Sequence, residues 1–540
     1  GRDSGNNGYL TAFYKNNKMY ILPTDNNKNK FPSKIMIDGV QVTLGDWSDN
    51  LGRQIGSGKY LQDNTWHHWF IELSELDSIS QLTWFSRYEI ASNENDTAWN
   101  EIKKLVGSDL GAYHSSGKSV AMSGDYIVVG GDGENSNTGS AYIFKKDEGG
   151  SGNWGEIKKL TASDKATGDN FGVSVSINGD YIVVGAIGDD DNSKTFSGSA
   201  YIFSKNQGGA DNWGQIKKLT ASDPASSARF GSSVLVKDDY VIIGAYNNTT
   251  SNSKGAVYIY KKDHGGSDNW GELKKLEPTV TDSDVQFGWS LAIDNNNNLV
   301  IGSPKDRDAA HIAGAAYIYK KDYDPLTPND ISSNAWGQFK KLTASDAGGS
   351  DNFGSSVSIN GDYIVVGAYN DDDNYTNSGS AYIFKKDEGG TDNWGQLKKL
   401  LPSSGGSYYQ FGFSIGVYGD YVVVGADKDD ANGNESGAAY LFKKDHGGSD
   451  NWGEVLKITP EDGAGTDRFA TSIVIDNNYI VVGAFQHKGT SINQSTGAAF
   501  IFRNDTFNRT SFFNLEAAMD DYRIFDKRLT SDQIKDLVEG

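Results

Sequence analysis

The chain has 540 residues, enough for more than one domain, and carries 71 Asp and Glu against 50 Lys and Arg, a net charge of −21. That acidity argues against nucleic acid as a main partner, because phosphate binding needs a basic footprint. There is no cysteine, which excludes disulfides, thiolate metal sites and a Cys nucleophile, and no apolar run approaches the ~20 residues of a helical membrane span.

The chain begins at Gly1 without Met or a signal-like apolar segment, which reads as a processed or truncated terminus. Residues 1–97 are rich in aromatic and β-branched words: Tyr9 to Tyr14, Lys18 to Leu22, Trp66 to Ile71 and Leu82 to Phe85. Asn and Gly clusters separate them, so the segment reads as all-β.

From Trp99 onward one sentence is repeated. A YIVVG-type word ends at Gly130, Gly185, Gly244, Gly302, Gly367, Gly425 and Gly483. A GSAYIF-type word ends at Phe144, Phe203, Tyr260, Tyr319, Phe384, Phe442 and Phe502. A WGxxKKL-type word begins at Trp99, Trp154, Trp213, Trp270, Trp336, Trp394 and Trp452. Seven copies at a period of about 58 residues mark a repeat architecture.

Each copy predicts four strands. In the second copy, Val173, Val175 and Ile177 alternate, as in a strand with one buried face. YIVVGA is a short unbroken apolar run, as in a strand buried on both faces. Asn178-Gly179-Asp180 between them is a tight-hairpin signal, because Asn and Gly accept positive φ. SAYIF and WGQIKKL follow as the third and fourth strands, joined by a Gly-rich hairpin. Four antiparallel strands per copy, seven times over, fit a seven-bladed β-propeller.

The copies do not start and stop in phase with the blades. Trp99 to Leu105 precedes every other word, and nothing like it follows Phe502. The last blade therefore borrows its outer strand from the start of the repeat, which leaves no large open edge. Trp99 to Leu105 is expected to pair with Ala499 to Phe502.

After a polar connector, Arg503 to Arg509, the tail predicts a strand over Ala518 to Phe525 and a short helix capped by Thr530. The tail is too short to fold alone. We expect it to complete a β-sandwich with the N-terminal segment, Met519 to Phe525 pairing with strands of residues 1–97. The predicted domains are residues 1–97 and 510–540, forming one jelly roll from the two chain ends, and residues 98–509, the propeller. The fold class is all-β.

Phe171-Gly172, Phe230-Gly231, Phe287-Gly288, Phe353-Gly354 and Phe411-Gly412, each followed by VVGA-like and GxAYIF-like words, resemble the FG-GAP repeat of the integrin α-chain propeller. The outer copies depart from it, with Ser116-Gly117 and Phe469-Ala470. The resemblance covers about three quarters of the chain. "MDDYRIFDKRLTSDQIKDL" and "NTWHHWFIEL" (Asn64 to Leu73) resemble the closing segment and W-x-H strand of laminin-G-like, concanavalin-type lectin jelly rolls.

The loops between the second and third strands hold the densest acidic groups: Asp189 to Asp191, Asp371 to Asp373, Asp427 with Asp429 and Asp430, and Asp306 with Asp308. Calcium takes six to eight oxygens, so Asp189, Asp191, Asp371, Asp373, Asp427 and Asp429 are candidate calcium ligands, with solvated turns as the other reading. The calcium loop of integrin-type repeats lies in the 1–2 hairpin as DxDxDGxxD. Here that hairpin is the short NGD turn, or the Asn run Asn295 to Asn298, so those ligands are not carried over.

His67 and His68 are adjacent on a predicted strand and point to opposite faces. The repeating Trp residues read as packing. Trp289 follows the FG word of the fourth copy alone and fits either packing or ligand contact. Trp47, Trp66 and Trp84 fit core or glycan stacking. The repeating KKL and FKK lysines read as solvated strand edges. No metalloprotease, nucleophile-elbow, P-loop or dinucleotide motif is present.

These readings imply a non-catalytic recognition or adhesion protein, extracellular or on a cell or virion surface. It would bind a glycan or glycoprotein, or neighbouring subunits of a large assembly, with calcium as the one cofactor implied. Asn-x-Ser/Thr sequons such as Asn374-Tyr375-Thr376 agree weakly with an exterior location. The alternatives are a polysaccharide-active lyase or hydrolase, and a structural virion or surface-layer component.

Overall fold

The computed structural model describes Trp99–Asn504, apart from residues 110, 192, 249–252, 281, 325–334, 374, 477 and 489–494, and before Trp99 the backbone of eight short strands. The chain divides into two compact units, Thr97–Asn504 and Gly1–Asp96 with Asp505–Gly540.

In the smaller unit, Leu10–Lys15, Lys18–Pro23, Trp69–Glu72, Trp47–Ser48 and Gln54–Ile55 form one five-stranded sheet in that order. Val40–Thr43, Lys34–Ile37 and Leu82–Thr83 form a three-stranded sheet. The expected pairing of residues 519–525, the short helix, and His67 and His68 lie outside the described residues.

The larger unit is a ring of seven four-stranded antiparallel blades. Blade 2 shows the plan: Phe171–Asn178, Tyr181–Ala186, Ser199–Ser204 and Gly214–Leu219, hydrogen-bonded in chain order. Asn178 pairs with Tyr181 across the Gly179-Asp180 turn, as the sequence predicts. The apolar run Ile182, Val183, Val184 has no exposed surface, because neighbouring blades cover both faces.

The first strand departs from simple alternation. The ladder skips from Phe171 to Ser174, so Gly172 and Val173 bulge and Ser174, not Val173, turns inward. The same shift occurs at Phe353, Phe411 and Phe469. Its use is visible across the joint. Ser174 Oγ donates to the Gly231 carbonyl of the next blade at 2.7 Å. Ser119, Ser233, Ser290, Ser356, Ser414 and Ser472 repeat this bond at 2.6 to 2.9 Å, so all seven joints carry it. Each hydrogen bond of this kind adds about 1 kcal/mol net.

Gly185, in the second strand, faces that joint. A Cβ there would overlap the Gly231 carbonyl oxygen and Ser174 Oγ. The glycine of YIVVG is thus required by close backbone approach between blades, and the same overlap recurs at Gly367 and Gly483.

The ring closes as the sequence predicts. Trp99–Leu105 joins Phe469–Ile475, Tyr479–Ala484 and Ala498–Asn504 as the outer strand, with Ala499 opposite Leu105 and Phe502 opposite Glu101. The repeating Trp residues are core: all seven are at most 6 % exposed.

Candidate functional site

In a four-stranded meander the 1–2 and 3–4 connections leave one end and the 2–3 and 4–1 connections leave the other. On the first face, five of the 3–4 hairpins are near copies of KKDHGGSDNW. Their form is set by paired glycines such as Gly389 and Gly390, at φ +78 and +139. On the second face the loops differ from blade to blade in length and chemistry. They are also tied together: Asn170 N–H donates to Asn137 O at 2.8 Å, joining the 4–1 connection entering blade 2 to the 2–3 loop of blade 1. Gly188 N–H donates to Asp169 O at 2.9 Å, joining the same connection to the 2–3 loop of blade 2.

The candidate acidic residues lie on this second face, and each faces a fixed cation. In blade 2 the Tyr201 hydroxyl lies 2.5 Å from Asp189 and 2.9 Å from Asp164, which comes from the 4–1 connection. Lys218, the last lysine of the KKL word, reaches Asp164 at 2.7 Å, Asp189 at 2.9 Å and Asp191 at 3.4 Å. Burial alone would lower the Lys218 pKa, but hydrogen bonds to Asp164 and Asp189 hold it above the ordinary lysine range. Burial and then Asp189 push the Tyr201 hydroxyl well above its ordinary value, so it stays protonated.

Blade 5 repeats the arrangement. Tyr382 bonds Asp371 at 2.6 Å, and Lys399 sits among Asp346 at 2.7 Å, Asp371 at 3.1 Å and Asp373. In blade 4 Asp306 takes Tyr317 and Lys341, and in blade 6 Asp429 takes Tyr440 and Lys457. Blade 1 uses Glu134 and Asp109 around Lys159, and blade 3 uses Asn248 on Tyr258 with Asp223 on Lys275. In blade 7, Phe500 and His487 replace Tyr and Asp. His487 Nδ1 faces Asp467 at 2.9 Å and its Nε2 faces Lys104 at 3.5 Å.

This corrects the reading of the KKL lysines as solvated edges: the last lysine of each word is a counter-ion to loop carboxylates. The FKK lysines are likewise engaged, as Lys145 is with Asp211 at 2.6 Å. The signal was present in sequence as a Lys, Tyr and Asp at matching places of nearly every copy, but the partners are separated by loops.

The arrangement also differs from a calcium cage. Asp346, Asp371 and Asp373 bring carboxylate oxygens within 4.8 Å of one another, the geometry nearest to a metal centre among the described residues. Lys399 Nζ lies between them, however, and its three donors take the place of the cation. Asp427 and Asp429 do not converge. Asp429 joins the Tyr440 network, whereas Asp427 turns to Arg468 at 3.2 Å. The residues present therefore fit an internal ammonium rather than a divalent ion.

Nearer the ring axis the inner ends of the blades present a different set. The first strands of successive blades touch, so the residues after each FG word form an inner rim. Trp289 occupies that position in blade 4, is 37 % exposed, and meets the Tyr246 ring of blade 3 at 4.7 Å with planes tilted by 58°. Tyr369 meets Phe413 at 5.7 Å. Lys118 Nζ lies 4.4 Å above the Phe485 ring. Burial pushes the Asp427 carboxyl up to about 6, against the pull of Arg468, Lys428 and Lys118. Trp289 was singled out by its departure from the repeat; its Tyr246 partner and the Asp427–Arg468 pair were not.

The FG-GAP repeat family matches at residues 99–144, 154–203, 213–260, 270–319, 336–384, 394–442 and 452–502, more than half of the chain. The chain belongs to the FG-GAP repeat family. Each FG-GAP unit runs from a Trp to the end of the next YIF word, so it takes the outer strand of one blade and three strands of the next. That offset is what makes closure by Trp99–Leu105 possible. No curated protein matches. Among solved structures, Saccharomyces cerevisiae Sqt1 aligns with a TM-score of 0.40 and 12 % identity over 73 % of this chain and 87 % of its own. Kuenenia stuttgartiensis hydrazine synthase aligns with a TM-score of 0.43 and 10 % identity over 70 % and 94 %.

Proposed function

We propose that this FG-GAP propeller is a non-catalytic recognition or adhesion module, extracellular or on a cell or particle surface, whose ligand is a glycan or glycoprotein. The observation that carries the reading is the asymmetry of the ring. One face repeats a single hairpin form in five blades, while the loops of the other differ from blade to blade and are tied together by backbone hydrogen bonds. Variable loops on a fixed scaffold are where binding chemistry concentrates. Trp289, 37 % exposed and in ring contact with the half-buried Tyr246, gives that face an exposed aromatic group. The net charge of −21 favours a partner other than nucleic acid.

In the same proposal the two chain ends form a lectin-like, laminin-G-type jelly roll, and the propeller takes the integrin-like role of presenting a ligand surface. Deleting residues 511–540 then unfolds the smaller unit and leaves the propeller folded; an intact smaller unit in that deletion opposes the jelly-roll part.

The test of function is binding of the full chain to arrays of saccharides and glycoproteins, before and after enzymatic deglycosylation, in calcium-containing buffer. Binding that disappears on deglycosylation supports the reading. Silence across the array, or binding indifferent to glycan removal, opposes it.

A further inference from the structure

Where blades 5 and 6 meet, the loop face departs from the repeat. The 4–1 connection entering blades 2, 3 and 5 begins TASD, and its Asp joins the lysine network. The connection entering blade 6 reads LPSSGGSYYQ. Ser404 stands in place of the Asp and bonds Tyr440 and Lys457 at 3.1 Å each. The loop has exchanged an acid for a serine and carries two tyrosines, Tyr408 and Tyr409.

The result is a cavity of about 270 Å³ lined by Tyr375, Ser378, Leu401, Pro402, Ser403 and Gly405. Tyr375, from the 2–3 loop of blade 5, is 51 % exposed, and Tyr408 on the adjoining loop is 55 % exposed. The two loops are pinned together by Tyr408 N–H donating to Thr376 O at 2.7 Å. Two large aromatic side chains thus stand in water on loops joined by a backbone hydrogen bond.

Gly405 has no conformational need to be glycine, since it is absent from the positive-φ residues. A Cβ there would meet Pro402 at 3.5 Å and the Tyr375 ring at 3.9 Å, ordinary contact distances. Its effect would be to fill the floor. The missing side chain therefore makes space rather than relieving strain.

We propose that this cavity is a subsite for one neutral hexopyranose ring of a glycan; the inference rests on the recognition reading above and locates it. The lining carries no charged side chain. It offers what a neutral sugar presents partners for: an aromatic face for the ring's electropositive C–H side, and the Ser403 hydroxyl and loop backbone for its hydroxyls. Ser403 Oγ already donates to Glu454 at 2.7 Å, which leaves its lone pairs to accept from a ligand. The volume lies below that of drug-sized pockets, which suits a single ring.

The experiment is saturation-transfer NMR on the full chain with methyl glycosides of galactose, glucose, mannose and N-acetylglucosamine. Tyr375→Ala, Gly405→Leu and, as a control on another blade, Tyr113→Ala are compared with the wild type. The proposal expects transfer to the ring protons of at least one glycoside, weakened about tenfold or more in affinity by Tyr375→Ala and Gly405→Leu and unchanged by Tyr113→Ala. Thermal melting of each variant within a few degrees of wild type confirms that the fold is kept. No transfer to any of the four, or transfer that survives both pocket variants, overturns it. If glycan-array binding persists undiminished in both pocket variants, this site is wrong while the recognition reading stands. If the array is silent as well, the reading itself fails.

Discussion

Trp99 packs edge-on against Tyr421, with ring centroids 5.8 Å apart and planes at 79°, although one opens the ring and the other lies in blade 6. The same contact joins Trp154 to Tyr479, Tyr126 to Trp213, Tyr181 to Trp270, Tyr240 to Trp336 and Tyr363 to Trp452. The borrowed strand therefore makes the same interblade contact as the strands that lie in chain order. The joint between blades 4 and 5 differs: Asn298 stands where the Tyr would be, and Trp394 donates instead to Asp392 at 3.1 Å.

Trp99→Ala should lower unfolding stability by about 3–5 kcal/mol, as for other buried Trp truncations, and should expose the residue 97–105 segment to proteolysis first. Guanidinium unfolding followed by limited digestion checks both. A loss under about 1 kcal/mol would mean that the closing strand contributes little to the ring.

The serine ring gives a graded pair. Ser356→Ala removes one bond to the Gly412 carbonyl and should cost about 1 kcal/mol. Gly367→Ala places a Cβ against that same carbonyl and against Ser356 Oγ, and should cost clearly more, because two backbones must separate. Equal effects in urea titrations would argue against the close-approach account of the repeating glycine.

Asp427 makes a pH prediction. Its carboxyl is raised by burial to about 6, above the ordinary value of 3.8, so the folded state holds the proton more tightly than the unfolded state. The stability this gives is complete below about pH 4 and is lost as pH rises through about 6. Asp427→Asn should therefore gain on the wild type between pH 4 and 7.5, by roughly 3 kcal/mol for a shift of this size. Denaturant midpoints across that range test it, and a difference that is flat with pH would contradict it.

The Lys399 site bears on metal dependence. Burial alone would depress the Lys399 pKa, but the carboxylates of Asp346, Asp373 and Asp371 hold it above the ordinary range. A chelator should leave the melting temperature of the wild type unchanged. Lys399→Met, which leaves three facing carboxylates without their counter-ion, should melt lower by several degrees and recover in part with added calcium. A wild-type melting temperature that falls with chelator would show that a divalent ion, not the lysine, holds the loop.

The ring was largely legible in the chain, because a buried four-strand unit repeated in phase can close in few ways. Counting the Trp words alone placed Trp99–Leu105 beside Ala499 to Phe502, within the strand Ala498–Asn504 that it pairs with. The joints were less legible. Ser174 and Gly231 lie on different blades, and the inward turn of Ser174 depends on a bulge that strict alternation does not contain. The candidate site was legible as a set of loops but not as chemistry. Asp427 and Asp429 are two residues apart, yet one turns to Arg468 and the other to Tyr440 and Lys457. Sequence proximity groups acidic residues; the position of the nearest cation decides what they do.

The central claim, that the 2–3 and 4–1 loops are the recognition face, has a direct test because the chain contains no cysteine. Single cysteines are placed on the loop face at Tyr113, Phe196 or Tyr408, and on the hairpin face at His264 or Glu388, all exposed positions. Each is capped with a bulky polyethylene-glycol maleimide, and binding to a glycoprotein that captures the wild type is measured. The account predicts that capping at one or more loop positions abolishes binding while capping at either hairpin position leaves it intact. Binding lost only from the hairpin-face conjugates, or kept in all five, would contradict it.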